Sequence, residues 1–155
     1  MEGVQMEQSV YIVKPEGMLH RDSIRQMITN TGLSIIDSYI VTIPKWVPAT
    51  LYPDLSLEKG RLWELTCQQF VGKRCEIGVV SGEGAIGKLL AVCGTEISPA
   101  RCASQTIRRV YGFRNPIKLP GGGCFWFNAI HRPKNREEVL RDANIHFILR
   151  SAGFK

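Results

Sequence analysis

A histidine and an aspartate in the last third of the chain have the types and spacing for nucleophilic chemistry. His131 ends the apolar run CFWFNAI, so its ring is expected to be sheltered and held in one direction. Asp142 follows eleven residues later, in a segment with helical spacing. A carboxylate that bonds one imidazole nitrogen fixes the tautomer and leaves the other nitrogen nucleophilic. The alternative is a structural histidine bonded to the backbone, which is the commoner role for a lone histidine.

Two basic positions have the chemistry to bind anionic oxygens. Lys14 ends the β-branched and aromatic run SVYIVK and opens the turn motif KPEG, which would point its ammonium at a fixed place. Arg108 belongs to the motif TIRR, in a segment that is too basic and irregular to be core. A guanidinium can grip phosphate oxygens through two parallel hydrogen bonds. Considered separately, each residue could equally be a solvated surface side chain.

The stretch GEGAIGK, residues 82–88, has the G-x-x-x-x-G-K spacing of a phosphate-binding P-loop. Leu89 follows Lys88 at the position where a P-loop carries the serine or threonine that holds Mg²⁺. We therefore interpret the stretch as a strand–turn–helix corner whose glycines supply turn geometry. A P-loop hydrolase is the less favoured alternative.

The composition predicts one globular domain, over residues 1–155, that is large enough to bury a core. Hydrophobic residues make up 44% of the chain, and no run approaches the ~20 apolar residues of a membrane span. The N-terminal residues are acidic and polar, unlike a secretory signal. Five cysteines without C-x-x-C pairing favour a reducing compartment, so we expect a cytoplasmic protein.

The net charge of +6 favours an anionic partner such as a nucleotide. Nucleic acid is not favoured, because the basic residues lack the interleaved aromatics of a single-strand-binding surface. The three histidines are too widely spaced to form a metal-ligand motif, so no protein-held metal is expected.

Strands and helices alternate along the chain. Strands are predicted at 9–14, 33–43, 75–80 and 124–130, and helices at 23–31, 49–55, 61–71, 85–94 and 135–149. Residues 95–123 show little periodicity. This order of elements is typical of an α+β sandwich with helices packed on a small sheet.

Taken together and in order, YIVKPEG, TIRR and NAIH resemble the motifs of the nucleoside diphosphate kinases. That family opens with a strand ending in a Lys-Pro-Asp-Gly turn, carries Thr-Ile-Arg in a basic loop, and places its active histidine in an Asn-Ile-Ile-His run. The resemblance covers about residues 9–149 and implies a ferredoxin-like βαββαβ sandwich with a small antiparallel sheet.

The resemblance implies a role for each matching residue. His131 is similar to the histidine that accepts the γ-phosphoryl group, and Asp142 to the glutamate that bonds it. Lys88 falls where the family has an arginine that reaches the nucleotide phosphates. Besides Lys88, the implied nucleotide contacts are Lys14, Thr95, Arg108 and Asn128. Tyr52 matches a tyrosine near the active histidine, and Trp63 or the adjacent Leu62 is the nearest candidate for the base-stacking phenylalanine.

The chain departs from the family pattern immediately after the histidine. Arg132-Pro133-Lys134-Asn135 stands where the family has Gly-Ser-Asp-Ser. The added positive charge beside His131 favours a bound anion and disfavours a Mg²⁺ ion nearby. An insertion that includes FRNPIKLPGGG also lies between Arg108 and Asn128.

The implied activity is ping-pong transfer of a γ-phosphoryl group through a phosphohistidine at His131. The donor would be a nucleoside triphosphate such as ATP, carried as its Mg²⁺ complex, and the acceptor a nucleoside diphosphate. A nucleotide-binding protein on the same fold that has lost catalysis is the alternative. The resemblance also implies a homo-oligomer, a tetramer or hexamer built from dimers.

Overall fold

The computed structural model describes residues 6–153, so the first residues, which argued against a secretory signal, lie partly outside the described part. The strands are β1 (Met6–Val13), β2 (Ser34–Thr42), β3 (Arg74–Glu83), β4 (Ile117–Lys118), β5 (Cys124–Phe125) and β6 (Ile130–His131). Four of them form an antiparallel sheet in the order β2-β3-β1-β6, and β4 pairs with β5 in a separate hairpin.

Helices connect these strands and cover both faces of the sheet. They are α1 (Arg21–Thr29), α2 (Trp46–Leu51), α3 (Pro53–Glu58), α4 (Arg61–Phe70), α5 (Ala85–Cys93), α6 (Ile107–Tyr111) and α7 (Arg136–Ala152). Two 3₁₀ turns, Pro15–His20 and Pro99–Arg101, complete the elements. The predicted α+β fold with a small antiparallel sheet is confirmed. Within residues 6–153 no helix is long and apolar enough to cross a membrane.

Alternating side chains of β1 build the two cores. Val10 and Ile12 pack on one face with residues of α2, α4 and α7, including Phe70. Tyr11 and Val13 pack on the other face with residues of α1, α5 and α6. Because successive side chains of a strand point to opposite faces, a strand buried on both faces reads as a continuous apolar run.

The predicted strand over 124–130 is wrong in its middle. Only Cys124–Phe125 and Ile130–His131 are extended and paired, in two different sheets. Between them Ala129 has a φ of 73°, and the N–H of Ile130 donates to the carbonyl of Asn128 at 2.9 Å. This hydrogen bond defines a tight γ-turn, which interrupts the strand.

Two further predictions change in detail. The helix predicted at 49–55 is two helices, α2 and α3, which meet at Tyr52 because Pro53 starts a new helix and restrains the residue before it. The segment 95–123 contains α6, whose first turn is capped by the hydroxyl of Thr106 accepting from the N–H of Arg109 at 3.3 Å. Arg108 is therefore buried on a helix rather than placed on a surface loop.

Candidate active site

Strand pairing brings the motifs KPEG and NAIH together. Ile12 pairs with His131 and Val13 with Ile130, so β1 ends beside the turn at Ala129. The N–H of Lys14 donates to the carbonyl of Ala129 at 2.8 Å. Gly17 packs against the same carbonyl, and a Cβ atom there would lie 2.6 Å from the oxygen. The glycine of KPEG is therefore needed for the close approach of the two segments.

His131 is fixed by a carboxylate from the last helix. Its Nε2 lies 2.8 Å from Oδ2 of Asp142 on α7, and the two residues are 6% and 1% exposed. Nε of Arg141 donates to the other oxygen of Asp142 at 2.9 Å. Both carboxylate oxygens are thus engaged, which holds Asp142 in one orientation toward the imidazole.

The protonation of this pair leaves one imidazole nitrogen free. Burial lowers the pKa of His131 below its ordinary value, and the hydrogen bond with Asp142 only partly opposes the shift. Burial acts to raise the pKa of Asp142, but hydrogen bonds from His131 and Arg141 outweigh it and lower the pKa. A neutral ring therefore donates its Nε2 proton to a charged carboxylate, and Nδ1 keeps its lone pair.

Tyr52 packs its ring edge against His131, at 6.2 Å between ring centroids and an interplanar angle of 90°. Its position at the junction of α2 and α3 directs the side chain toward the site. Burial raises the pKa of Tyr52 to about 12, so the hydroxyl stays protonated at neutral pH. Tyr52 can restrain the imidazole and offer a hydrogen-bond donor.

Lys14 is a buried ammonium held by Asn128. Its Nζ donates to Oδ1 of Asn128 at 2.8 Å, and Nδ2 of that amide donates to the carbonyl of Ile97 at 3.2 Å. Burial lowers the pKa of Lys14 to about 8, with Glu16 opposing the shift and Arg108 adding to it. The ammonium is charged at neutral pH but loses its proton more easily than a surface lysine.

Arg108 and Arg132 are two buried guanidiniums that bind only backbone carbonyls. Arg108 donates from Nε and Nη2 to the carbonyl of Ile130, at 3.2 and 2.9 Å, and from Nη1 to that of Glu96 at 2.8 Å. Arg132 donates from Nε and Nη2 to the carbonyl of Gly94, at 3.2 and 2.8 Å. Burial lowers the pKa of Arg108 to about 10, and Arg132 contributes to the shift.

These residues line one cavity of about 460 Å³. Its polar lining is mostly cationic and consists of Lys14, Thr66, Gln69, Arg108, Asn128, His131, Arg132, Lys134, Glu138 and Arg141. Its other lining residues are mostly apolar: Leu51, Tyr52, Leu55, Leu62, Ile97, Cys124, Phe125 and Trp126. An anionic group beside a planar apolar one would find complementary surfaces in this space.

Three residues expected to contact a nucleotide do not line the cavity. Lys88 lies on the exposed side of α5, whose buried side carries Ala85, Leu89 and Cys93. Thr95 is exposed after Gly94, and Trp63 is half-buried outside the cavity, whereas the adjacent Leu62 lines it. Adjacent residues of a helix differ by about 100° in direction, so only one of two neighbours can face a given wall.

Sequence analysis noted the positive charge that Arg132 adds beside His131 but assigned no site role to Arg132, Arg141 or Trp126, which all line this cavity. The first two directly follow or precede residues that it did select, His131 and Asp142. An arginine next to a suspected catalytic residue was an available signal. Trp126 had no such signal, because its direction depends on the hairpin of β4 and β5.

The carboxylates in and near the cavity are already engaged. Glu138, which lines the cavity, lies 3.6 Å from Nη2 of Arg141, and Asp142, which lies behind His131, bonds His131 and Arg141. Among residues 6–153 no group of three or more His, Cys, Asp or Glu side chains could hold a metal ion.

The sheet order and the helices on both faces define a ferredoxin-like α+β protein. A family model described as nucleoside diphosphate kinase matches residues 7–151. The chain belongs to the nucleoside diphosphate kinase family. A comparison with curated proteins gives no match.

Solved structures of this family share the fold at low sequence identity. The nucleoside diphosphate kinase of Borrelia burgdorferi, a transition-state mimic with bound vanadate and ADP, matches with a TM-score of 0.74 and 16% identity, over 92% of this chain and 88% of that one. A nucleoside diphosphate kinase family protein of Babesia bovis matches at 0.72 and 20%, over 90% and 86%. The apo enzyme of Encephalitozoon cuniculi matches at 0.72 and 21%, over 90% and 87%.

Proposed function

We propose that the protein is a nucleoside diphosphate kinase that transfers a γ-phosphoryl group through His131. The observation that carries the proposal is the geometry of the imidazole, whose Nε2 is bonded by Asp142 and whose Nδ1 bonds no residue of the described part of the chain, inside a cationic cavity. Family membership supports the same activity. ATP and other nucleoside triphosphates, as Mg²⁺ complexes, would be donors, and nucleoside diphosphates acceptors.

In the first half-reaction the Nδ1 lone pair attacks the γ-phosphorus of the triphosphate. The bond between that phosphorus and the β,γ-bridging oxygen breaks, and its electron pair leaves on the nucleoside diphosphate. As the ring becomes cationic, the carboxylate of Asp142 stabilises it through Nε2. The second half-reaction reverses these steps with a different diphosphate, so the enzyme alternates between free and phosphorylated His131.

The cations of the cavity supply the charge stabilisation that phosphoryl transfer needs. Lys14 donates a hydrogen bond to Asn128, next to the turn that precedes His131, and Arg108 donates to the carbonyl of Ile130. Preorganised donors of this kind need no rearrangement when charge develops on the transferring oxygens. The aromatic and aliphatic residues of the cavity offer stacking rather than base-specific hydrogen bonds, so low selectivity among bases is expected.

A nucleotide-binding protein that has lost catalysis is the second candidate. It is favoured by the sequence after His131, where Arg132, Pro133 and Lys134 replace the family pattern. Against it stands the intact hydrogen bond between His131 and Asp142. We further propose that the chain acts as a homo-oligomer built from dimers, as the family resemblance implies.

The first experiment is incubation with Mg²⁺ and γ-labelled ATP, followed by a test for an acid-labile, base-stable phosphoryl group. Label is expected on the wild type and on His146→Ala, but not on His131→Ala. Any nucleoside diphosphate should remove the label from the wild type. His146→Ala is the matched control, because it also removes a partly buried imidazole next to an aspartate, with Nε2 3.8 Å from Oδ2 of Asp37.

Three results would decide between the candidates. Label on His131→Ala would exclude His131 as the nucleophile. Absence of label on the wild type, with ADP still bound, would favour the protein without catalysis. Label that ADP cannot remove would mean that the second half-reaction does not occur.

A further inference from the structure

Arg132 is a residue of the cavity whose charge is buried and whose hydrogen-bond donors are only partly used. It is 4% exposed and follows His131 directly. Nε and Nη2 both donate to a single oxygen, the carbonyl of Gly94. Nη1 makes no hydrogen bond to any described residue, although Arg132 lines the cavity. Its remaining donors are therefore available to a ligand in that space.

No described carboxylate forms an ion pair with Arg132. The nearby acidic residues pair elsewhere, Asp142 with His131 and Arg141, and Glu138 with Arg141. Burial lowers the pKa of Arg132, and the nearby Glu138 only partly opposes the shift. A buried charge normally has a partner, because leaving water without one is costly. An anionic ligand is the partner that this charge lacks.

The carbonyl that holds Arg132 belongs to a rigid segment. Gly94 has a φ of 111°, and a Cβ atom there would lie 2.7 Å from Sγ of Cys102. The thiol of Cys102 in turn donates to the carbonyl of Glu96 at 3.3 Å. The guanidinium is thus docked on a packed loop by one edge, which leaves the other edge in a fixed direction.

The residue that the family resemblance predicts for a phosphate contact, Lys88, lies outside the cavity. Lys88, which aligns with a phosphate-contacting arginine of the family, is exposed on α5 and does not line the cavity. Arg108 donates hydrogen bonds from Nε, Nη1 and Nη2 to two backbone carbonyls. Arg132 is the buried guanidinium with a whole donor group left over among the described residues.

We infer that Arg132 binds phosphate oxygens of the nucleotide through Nη1, in place of a basic residue on α5. The identity of the ligand as a nucleotide rests on the proposed function, whereas the anion site itself does not. Arg132 is a binding residue in this assignment, and His131 remains the group that accepts the phosphoryl.

The test compares Arg132→Gln, Arg132→Lys and the control Arg114→Gln, which changes an exposed arginine outside the cavity. Dissociation constants for inorganic pyrophosphate and for ADP are measured by calorimetry at several salt concentrations. Losing a charge-assisted hydrogen bond should weaken both ligands about 10- to 100-fold in Arg132→Gln. The dependence on salt should also become shallower, because one cation is missing. Arg132→Lys should recover part of the loss.

A merely structural role would give a different pattern. If Arg132 only supports the loop at Gly94, Gln and Lys variants would bind equally poorly and would melt at lower temperature, with the salt dependence unchanged. Unchanged pyrophosphate and ADP binding in a folded Arg132→Gln protein would overturn the inference outright. Failure of the proposed function is separate: it would appear as pyrophosphate binding that depends on Arg132 in a wild type that never labels at His131.

Discussion

Two histidine–aspartate pairs each have one residue on α7, and the surroundings of the two pairs differ. Nε2 of His131 is 2.8 Å from Oδ2 of Asp142, and its Nδ1 is free among the described residues. Nε2 of His146 is 3.8 Å from Oδ2 of Asp37, and its Nδ1 lies 2.8 Å from the hydroxyl of Tyr39. Each histidine lines a cavity, of about 460 and about 430 Å³ respectively. Pair and cavity alone therefore do not distinguish them.

The difference lies in burial and in charge. The side chains of His131 and Asp142 are 7% and 1% exposed, whereas those of His146 and Asp37 are 20% and 31% exposed. Five cationic side chains line the cavity of His131, and none of the residues that line the cavity of His146 is a lysine or arginine. A nucleophile for phosphate needs a free nitrogen and surrounding positive charge, and only His131 has both.

The largest expected effect comes from Asp142→Asn. A neutral amide holds Nε2–H weakly, and if its NH₂ turns toward Nε2 the proton moves to Nδ1. The rate of histidine phosphorylation should fall about 100- to 10,000-fold, as for loss of a residue that fixes the catalytic tautomer. The rate is measured by rapid quench with γ-labelled ATP, and nucleotide binding by calorimetry.

Asp37→Asn is the matched control for that experiment, because it makes the same substitution at the other pair. Its phosphorylation rate should stay within about twofold of the wild type, because Asp37 is far from the charges that phosphoryl transfer uses. Equal losses in the two variants would mean that both act through the packing of α7, and the contrast between the pairs would disappear.

The sequence predicted the positions of Lys14, His131 and Asp142 better than those of the other residues around the site. Lys14 directly follows β1 and His131 lies on β6, and the antiparallel pairing of these strands places the end of β1 beside the start of β6. Asp142 could be placed because α7 is a long helix with its own cap at Asn135, so spacing from His131 fixed its side of the helix. Regular elements transmit position along the chain.

The conformation of Ala129 and the side-chain directions of Trp126 and Lys88 depend on contacts that no local sequence pattern contains. The turn at Ala129 needs a positive φ that an apolar residue rarely adopts, so NAIH looked like continuous strand. The direction of Trp126 is set by a hairpin between two-residue strands, and the direction of Lys88 by which side of α5 packs on the core. Tertiary packing decides these orientations, and one sequence does not reveal it.

The pH dependence of the phosphorylation rate should also distinguish His131 from His146, with an effect of intermediate size. His131 reacts when neutral, so phosphorylation should rise with pH through a pKa below the ordinary 6.5 of histidine. Lys14 stabilises charge only when protonated, so the rate should fall as pH rises through about 8. Outside the plateau the rate should change about tenfold per pH unit. His146→Ala should leave the profile unchanged.

The variant Lys14→Arg tests whether Lys14 causes the fall in rate near pH 8, because a guanidinium stays protonated throughout the measured range. The decline near pH 8 should vanish in this variant, whatever its maximal rate. A decline that persists at the same pH would belong to another group, and Lys14 would then have no part in the pH dependence.

The smallest expected effect is on stability at the exposed pair. Asp37 accepts a hydrogen bond from Nη2 of Arg150 at 2.8 Å, but the Arg150 side chain is 53% exposed. Burial lowers the pKa of His146, so the ring is neutral and adds little ionic attraction. Surface ion pairs contribute about 0–1 kcal/mol, so Asp37→Asn should lower the free energy of unfolding by less than about 1 kcal/mol in urea titration. A loss above about 3 kcal/mol would show that Asp37 anchors α7 to β2 as a buried pair does, and exposure would then not be what separates the two pairs.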